Sequence, residues 1–141
     1  MASDIILTNP DTMAAPGGHY SHSVTANGFV FISGQLPIAC DGTKLADAAF
    51  EQQAQQTLNN VAAALTAAGS AIDRLVQVRV YVTDIKLWPA FNTIYAQWIG
   101  SSRPARAVVP VGMSRFLLNI AKRSLPRLML SDVGLANKVA V

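Results

Sequence analysis

Residues 103–109 read Arg-Pro-Ala-Arg-Ala-Val-Val, a turn sequence that leads directly into β-branched residues. Pro104 keeps the residue before it out of the helical region and ends any preceding helix. Val108 and Val109 are β-branched and favour a strand. Taken alone, Arg106 could be an ordinary surface arginine. At the entrance of a strand, however, its permanently charged guanidinium suits bidentate binding of a carboxylate or phosphate.

The composition predicts one domain over residues 1–141, long enough to bury a core. Of these residues 51% are hydrophobic and only 13% are charged, so we expect part of the surface to pack against other copies of the chain. No apolar run approaches the ~18 residues that span a membrane. The single cysteine, Cys40, excludes an internal disulfide and fits a reducing compartment. We therefore expect a soluble, cytoplasmic protein without a membrane partner.

The charge is unevenly distributed along the chain. Residues 1–100 carry four basic and seven acidic side chains, a net charge of −3, whereas residues 101–141 carry seven basic side chains and only Asp132, a net charge of +6. A basic segment can bind nucleic acid. Here, however, the basic residues are scattered among leucines and are not interleaved with aromatic residues, so the sequence disfavours a nucleic-acid partner.

The first half of the chain contains a predicted hairpin. Asn27-Gly28 separates Val24 from the apolar run 29–32, and this dipeptide supplies the positive φ values of a two-residue turn. The second strand runs into Ser33-Gly34-Gln35, followed by Pro37, and a glycine at a strand end allows close approach to the backbone. Residues 5–7 (Ile-Ile-Leu) are a possible edge strand.

Residues 48–68 form the clearest predicted helix, with Asp47 as N-cap and Gly69 just past its end. Apolar residues recur at gaps of three and four, and glutamines and asparagines, Gln53 and Asn60 among them, are expected to cover the other side. Valines then alternate with other residues over 76–83, which is the pattern of a strand with one buried face.

A second helix is predicted after Asp84, with Pro89 in its first turn and Gly100 at its end. The strand that follows Arg106 contains Pro110, which indicates an edge position or a bulge. A last strand is expected within residues 116–121. The order β-β-α-β-α-β-β predicts an α/β (α+β) fold, a mixed sheet with two helices packed on one face.

Six short motifs occur in a recognisable order over roughly residues 18–112. They are Tyr20-Ser21-His22-Ser23-Val24, Phe31-Ile32-Ser33-Gly34-Gln35-Leu36-Pro37-Ile38, Gln56-Thr57-Leu58-Asn59-Asn60 running to Ala67-Ala68-Gly69, Val80-Tyr81-Val82-Thr83-Asp84, Phe91-Asn92-Thr93-Ile94-Tyr95 and Arg103-Pro104-Ala105-Arg106. With these motifs the chain resembles the reactive intermediate deaminase family, known as RidA, YjgF or perchloric-acid-soluble protein.

The resemblance implies a chorismate-mutase-like fold assembled as a homotrimer with clefts between subunits. It implies hydrolysis of 2-enamine or 2-imine acids, such as 2-aminoacrylate, to 2-keto acids and ammonia, without a metal or an organic cofactor. Arg106 matches the arginine that binds the substrate carboxylate, and Tyr20 matches a tyrosine of the cleft. Ser33, Gly34 and Asn92 match positions of the substrate pocket.

The chain departs from the family pattern at two positions. Val108 stands where the family often has a cysteine, so no catalytic thiol is assigned, and Val108 is retained only as a lining residue. Active members carry a glutamate in the last strand, but the sole glutamate here is Glu51, and Asn119 is the nearest equivalent. Three functions therefore stay open: a deaminase, a trimeric carboxylate-binding protein without turnover, and, ranked last, an RNA-binding or RNA-cleaving protein.

Two histidines, one tyrosine and the C-terminal tail carry less specific signals. His19 and His22 flank Tyr20 and are expected at the surface or rim, without forming a metal site. Tyr95 is expected to be an ordinary half-buried aromatic residue. Residues 124–141 form a tail beyond the resemblance, which could be a packing strand, a cover for the cleft or a disordered end.

Overall fold

The computed structural model describes residues 4–111 and, for the backbone, residues 128–135. Within these residues, six strands and two α-helices follow one another. They are β1 Ile6–Thr8, β2 Ser23–Ala26, β3 Phe29–Gln35, α1 Phe50–Ala67, β4 Leu75–Val82, α2 Trp88–Ile99, β5 Ala105–Pro110 and β6 Leu128–Leu135. The predicted mixed α+β architecture is confirmed.

The six strands form one sheet in the order β1-β2-β3-β6-β4-β5. Only β4 and β5 pair in parallel; the other neighbours are antiparallel. β6 lies between β3 and β4, so part of the tail is a packing strand at the centre of the sheet. The strand that the sequence predicts within residues 116–121 lies outside the described residues.

The hairpin between β2 and β3 forms as predicted. Asn27 and Gly28 have φ values of 52° and 78°, and Ala26 pairs with Phe29 directly across the turn. Two positive φ values are what a two-residue turn requires, because its backbone twist then matches that of the strands. The turn therefore fixes the register of β3, and with it the position of the Ser33-Gly34 segment.

Helix α1 confirms its predicted apolar stripe but not its predicted cap. The helix begins at Phe50 with Ala49 in the N-cap position, and no side chain caps it. Asp47 lies in a preceding turn, where the amide of Ala48 donates to Leu45 O, and it is too early in the chain to cap the helix. At the other end Gly69 adopts φ 75° as predicted.

Two polar residues of α1 that were expected on its exposed side are buried. Gln53 is fully buried and donates to Ala48 O at 2.9 Å. Asn60 donates through Nδ2 to the carbonyls of Leu36 and Ile38, both at 2.9 Å. Asn60 therefore ties the segment after β3 to the helix. The helical period of 3.6 residues places Asn60 beside the apolar stripe. It does not show that carbonyls of the loop accept hydrogen bonds from Asn60.

Helix α2 begins and ends as predicted, with Pro89 in its first turn and Gly100 at φ 64° just past its end. Within the described ranges, neither helix is long and apolar enough to cross a membrane. The strand that follows, β5, is at the edge of the sheet, and Pro110 is its last residue. The edge position inferred from that proline is therefore confirmed.

Both helices share one core with a single face of the sheet. Alternate residues of β4, namely Val78, Val80 and Val82, are fully buried there with Val30 of β3 and Phe91 of α2. Burial of each valine contributes about 1.5–3 kcal/mol relative to exposure. These valines confirm the predicted period of two.

The opposite face of the sheet, here called the outer face, is not covered by the described helices. Phe31 is 42% exposed and Val109 is 37% exposed, and Tyr81 is half-buried on this face. Arg79 is exposed on the same face. A large part of the outer face is therefore apolar and open.

Replacing Gly28 with alanine tests the importance of the hairpin turn. A Cβ at Gly28 meets no atom within 4 Å, so its cost is conformational: the left-handed φ of 78° should lower the free energy of unfolding by about 1–2 kcal/mol. Gly17→Ala is a matched control, because Gly17 also has open space but lies outside the left-handed region. Equal urea midpoints for the two variants would contradict this account.

Candidate functional site

Arg106 is placed by the pairing of β5 with β4. It is opposite Val78, whose side chain is buried against the helices, so Arg106 lies on the helix side of the edge strand. Its Nη1 donates to Oδ1 of Asn92 on α2 at 3.2 Å. Arg106 and Asn92, which the sequence singled out separately, are therefore brought into contact. Both are exposed and can be reached by a ligand.

Two aromatic rings of α2 flank the guanidinium of Arg106. Its central carbon is 4.5 Å from the centroid of the Trp88 ring and 4.8 Å from that of Tyr95. Seven residues of helix rise by roughly 10 Å, so these distances place the guanidinium between the two rings. Both contacts have the range of cation–π interactions. We call this arrangement the aromatic slot: Trp88, Tyr95 and Arg106.

The aromatic slot corrects one prediction and adds to another. Tyr95 is not an ordinary half-buried residue: it is only 5% exposed and contacts the candidate ligand-binding arginine. Trp88 was not among the predicted site residues, yet its ring contacts the same guanidinium. A sequence signal was available, because Trp88, Asn92 and Tyr95 follow at gaps of four and three and share one face of the helix.

The slot leaves the guanidinium ready to bind an anion. It lies near two aromatic rings and one of its nitrogens donates to an uncharged amide, so these contacts do not neutralise the positive charge. In the described parts of the chain no carboxylate lies against Arg106. The guanidinium is held in place with donors to spare, which favours bidentate binding of a carboxylate.

Tyr20, Ser33 and Gly34 form a second group. Between the pairs Ile32–Asp132 and Gln35–Leu130, two residues of β3 stand against one residue of β6, so a β-bulge occurs at Ser33-Gly34. Ser33 donates through Oγ to Ser21 O at 2.6 Å and through its amide to His22 O at 2.9 Å. The bulge is therefore fastened to the segment that carries Tyr20, which is 48% exposed.

The two histidines beside Tyr20 differ in their surroundings. His19 is exposed, as predicted, but the prediction for His22 is wrong, since only 7% of it is exposed. Its Nε2 lies 2.7 Å from Ala14 O, and its Nδ1 lies 3.5 Å from Nε2 of Gln35. Sequence alone could not show this burial, because the partners come from other parts of the chain.

The two groups are well separated within one chain. Ile32 pairs with Asp132, Asp132 with Val78, and Val78 with Arg106, so these residues form one row across four adjacent strands. Three strand spacings amount to about 14 Å. A small ligand on Arg106 is thus out of reach of Ser33 in the same chain.

Two further predicted site residues, Val108 and Asn119, lie apart from these contacts or outside the described residues. Val108 is half-buried against the core, on the same face of β5 as Arg106. Asn119 lies outside the described residues. Cys40 is exposed, and its Sγ is 3.7 Å from Asp11 O. Among the described residues, no three histidine, cysteine, aspartate or glutamate side chains are grouped so that they could hold a metal ion.

Comparison with known proteins agrees with the observed fold. The family model described as Endoribonuclease L-PSP matches residues 11–119 of the chain. The chain belongs to this family, which is also called YjgF, RidA or RutC. The match includes both residue groups described above.

Relatives within the L-PSP family are found by sequence and by structure. A RutC family protein of Aquifex aeolicus is 42% identical over 106 residues, which cover 74% of this chain and 82% of that protein. Protein MMF1 of Saccharomyces cerevisiae, described as mitochondrial, is 34% identical over 116 residues, covering 81% and 78%. The crystal structure of RidA from Psychrobacter matches with a TM-score of 0.76 at 26% identity, covering 90% and 96%. Since one relative is mitochondrial, the cytoplasmic location stays a prediction.

The aromatic slot predicts a specific effect of Trp88→Leu on anion binding. Loss of one cation–π contact should weaken binding of 2-oxobutanoate about threefold to tenfold, because the guanidinium is held less firmly. Isothermal titration calorimetry measures the Kd. Trp98→Leu is the matched control, since Trp98 is also half-buried on α2 but packs on Tyr95 and not on Arg106. An equal loss of affinity in both variants would refute the assignment.

Proposed function

We propose that the protein hydrolyses 2-imino acids, formed from enamines such as 2-aminoacrylate, to 2-keto acids and ammonia. The observation that supports this most directly is the exposed guanidinium of Arg106, held between Trp88 and Tyr95 and free of a carboxylate partner among the described residues. Such a group suits a small planar carboxylate. Membership of the L-PSP family supports an enzyme-like role.

The reaction needs little chemistry from the protein. Water adds its oxygen to the imine carbon, the nitrogen takes up protons, and the carbon–nitrogen bond breaks to leave a keto group and ammonia. Arg106 holds the carboxylate, so that the imine carbon is presented in one orientation. Tyr20 and the backbone of Ser33 and Gly34 orient the water and pass a proton to the leaving nitrogen. The proposal requires neither a metal nor an organic cofactor.

The site is proposed to form between subunits of a homotrimer. Within one chain Arg106 and Ser33 lie three strand spacings apart, which is too far for one small substrate to contact both. A neighbouring subunit can supply the missing half. The open apolar residues of the outer face, including Phe31 and Val109, provide a surface for such an assembly.

A second candidate is a carboxylate-binding protein without turnover. It is favoured by the glutamate content: the chain has a single glutamate, Glu51, which is exposed in the first turn of α1. A glutamate that positions water is thus lacking from the strand where active relatives are expected to have it. Asn119 could orient a water molecule through its amide but could not accept a proton as a base at neutral pH.

A coupled assay tests the proposed reaction. A partner enzyme generates 2-aminoacrylate in situ, and release of the keto acid is followed with wild-type protein, Arg106→Ala and Arg106→Lys. Wild-type protein should accelerate release, and Arg106→Ala should lose roughly 100-fold or more of the activity, because two charge-assisted hydrogen bonds are lost. Arg106→Lys should recover only a small part, since lysine keeps the charge but lacks the planar fork.

The controls separate the two candidates. Lys44→Ala removes an exposed cation outside the proposed site and should turn over like wild type. Sedimentation velocity establishes the oligomeric state of each variant, for which a trimer is expected. A wild-type trimer that binds 2-oxobutanoate without accelerating the reaction would identify the binding protein. Equal activity of wild type and Arg106→Ala would exclude both functions at this site.

A further inference from the structure

His22 is a buried ionisable residue that the proposed reaction does not use. We propose that it is a positioning residue, neutral and protonated on Nε2, which aligns Tyr20 with the Ser33-Gly34 bulge. The proposal rests on the proposed function, because these two elements are its water-orienting half. It assigns His22 a role through its neighbours and not through contact with substrate.

The backbone of His22 is fixed on both sides. Its amide donates to Oδ1 of Asn9 at 2.8 Å, and its carbonyl accepts from the amide of Ser33 at 2.9 Å. Asn9 belongs to the loop after β1, and Ser33 belongs to the bulge of β3. His22 is therefore the place where three separate parts of the chain meet.

The neighbours of the ring select one tautomer. Ala14 O can only accept, so the Nε2 that lies 2.7 Å away must carry a hydrogen. Nε2 of Gln35 is 2.9 Å from Ser33 O, another acceptor, which fixes the orientation of that amide independently of the histidine. The same NH₂ group faces Nδ1 of His22 at 3.5 Å, so Nδ1 is the acceptor. Both sides of the ring thus agree on the neutral form with hydrogen on Nε2.

This arrangement connects the ring to both parts of the water-orienting half. The amide of Gln35, only 3% exposed, bridges the His22 ring and the carbonyl of Ser33 in the bulge. On the other side, the Tyr20 ring stands at 88° to the His22 ring, with centroids 6.2 Å apart. Loss of the imidazole therefore removes the ring contact to Gln35 and the ring contact to Tyr20 together, while Arg106, about 14 Å away in the same chain, keeps its own contacts.

Three variants test the role in the coupled assay. His22→Leu should lower kcat about 10- to 100-fold, because misplacement of the water-orienting groups is costly. Its Kd for 2-oxobutanoate should stay within about twofold of wild type, since Arg106 is untouched. His22→Gln should recover most of kcat, because the glutamine amide can still donate to Ala14 O. His19→Gln, at the exposed neighbouring histidine, should behave like wild type.

The outcomes distinguish this inference from the proposed function. A wild-type protein without turnover contradicts the proposed function, and the inference with it. Two results contradict the inference alone. One is an active wild-type protein whose kcat is matched by His22→Leu. The other is a loss of kcat in His22→Leu accompanied by an equal loss of affinity for 2-oxobutanoate. Failure of His22→Gln to restore kcat also contradicts it.

The tautomer gives a test that is independent of activity and of variant stability. The chain has two histidines, so in the His19→Gln protein every imidazole signal belongs to His22. ¹⁵N chemical shifts at neutral pH should show a neutral ring protonated on Nε2. A ring protonated on Nδ1, or a charged ring, would overturn the proposal.

Discussion

The parallel pairing of β5 with β4 is the constraint on which the candidate site depends. It aligns Arg106 with buried Val78 and so directs the arginine toward the helices, at the edge of the sheet. A shift of one residue would turn Arg106 to the outer face and Val109 inward. In the observed register Val108 packs against the core, and Arg106 contacts Trp88 and Tyr95 of α2.

Features decided by a few neighbouring residues could be predicted from the sequence. The Asn27-Gly28 turn, the glycines that follow both helices, and the alternating valines of β4 each follow from local backbone geometry or from a simple period. The contact between Arg106 and Asn92 could be anticipated only through the resemblance to a known family. Nothing in the spacing of 14 residues between them indicates that they touch.

Features that depend on distant acceptors could not be predicted. Asn60 is buried because carbonyls of the loop after β3 accept its amide hydrogens, and those carbonyls lie 24 and 22 residues earlier in the chain. His22 is buried for the same reason, with Ala14 and Gln35 as partners. Polar residues are predicted to be exposed when only their own helix or strand is considered. Their burial is a property of the loops that satisfy them.

The two margins of the sheet, which are its edge strands, affect how copies of the chain can associate. Among the described strands, one margin is β1, of three residues, and the other is β5, which Pro104 precedes and Pro110 ends. Neither proline has an amide hydrogen to offer an incoming strand, and a three-residue strand is a poor template for another. Copies of the chain can therefore cover the apolar outer face, while neither margin readily recruits strands into a fibre.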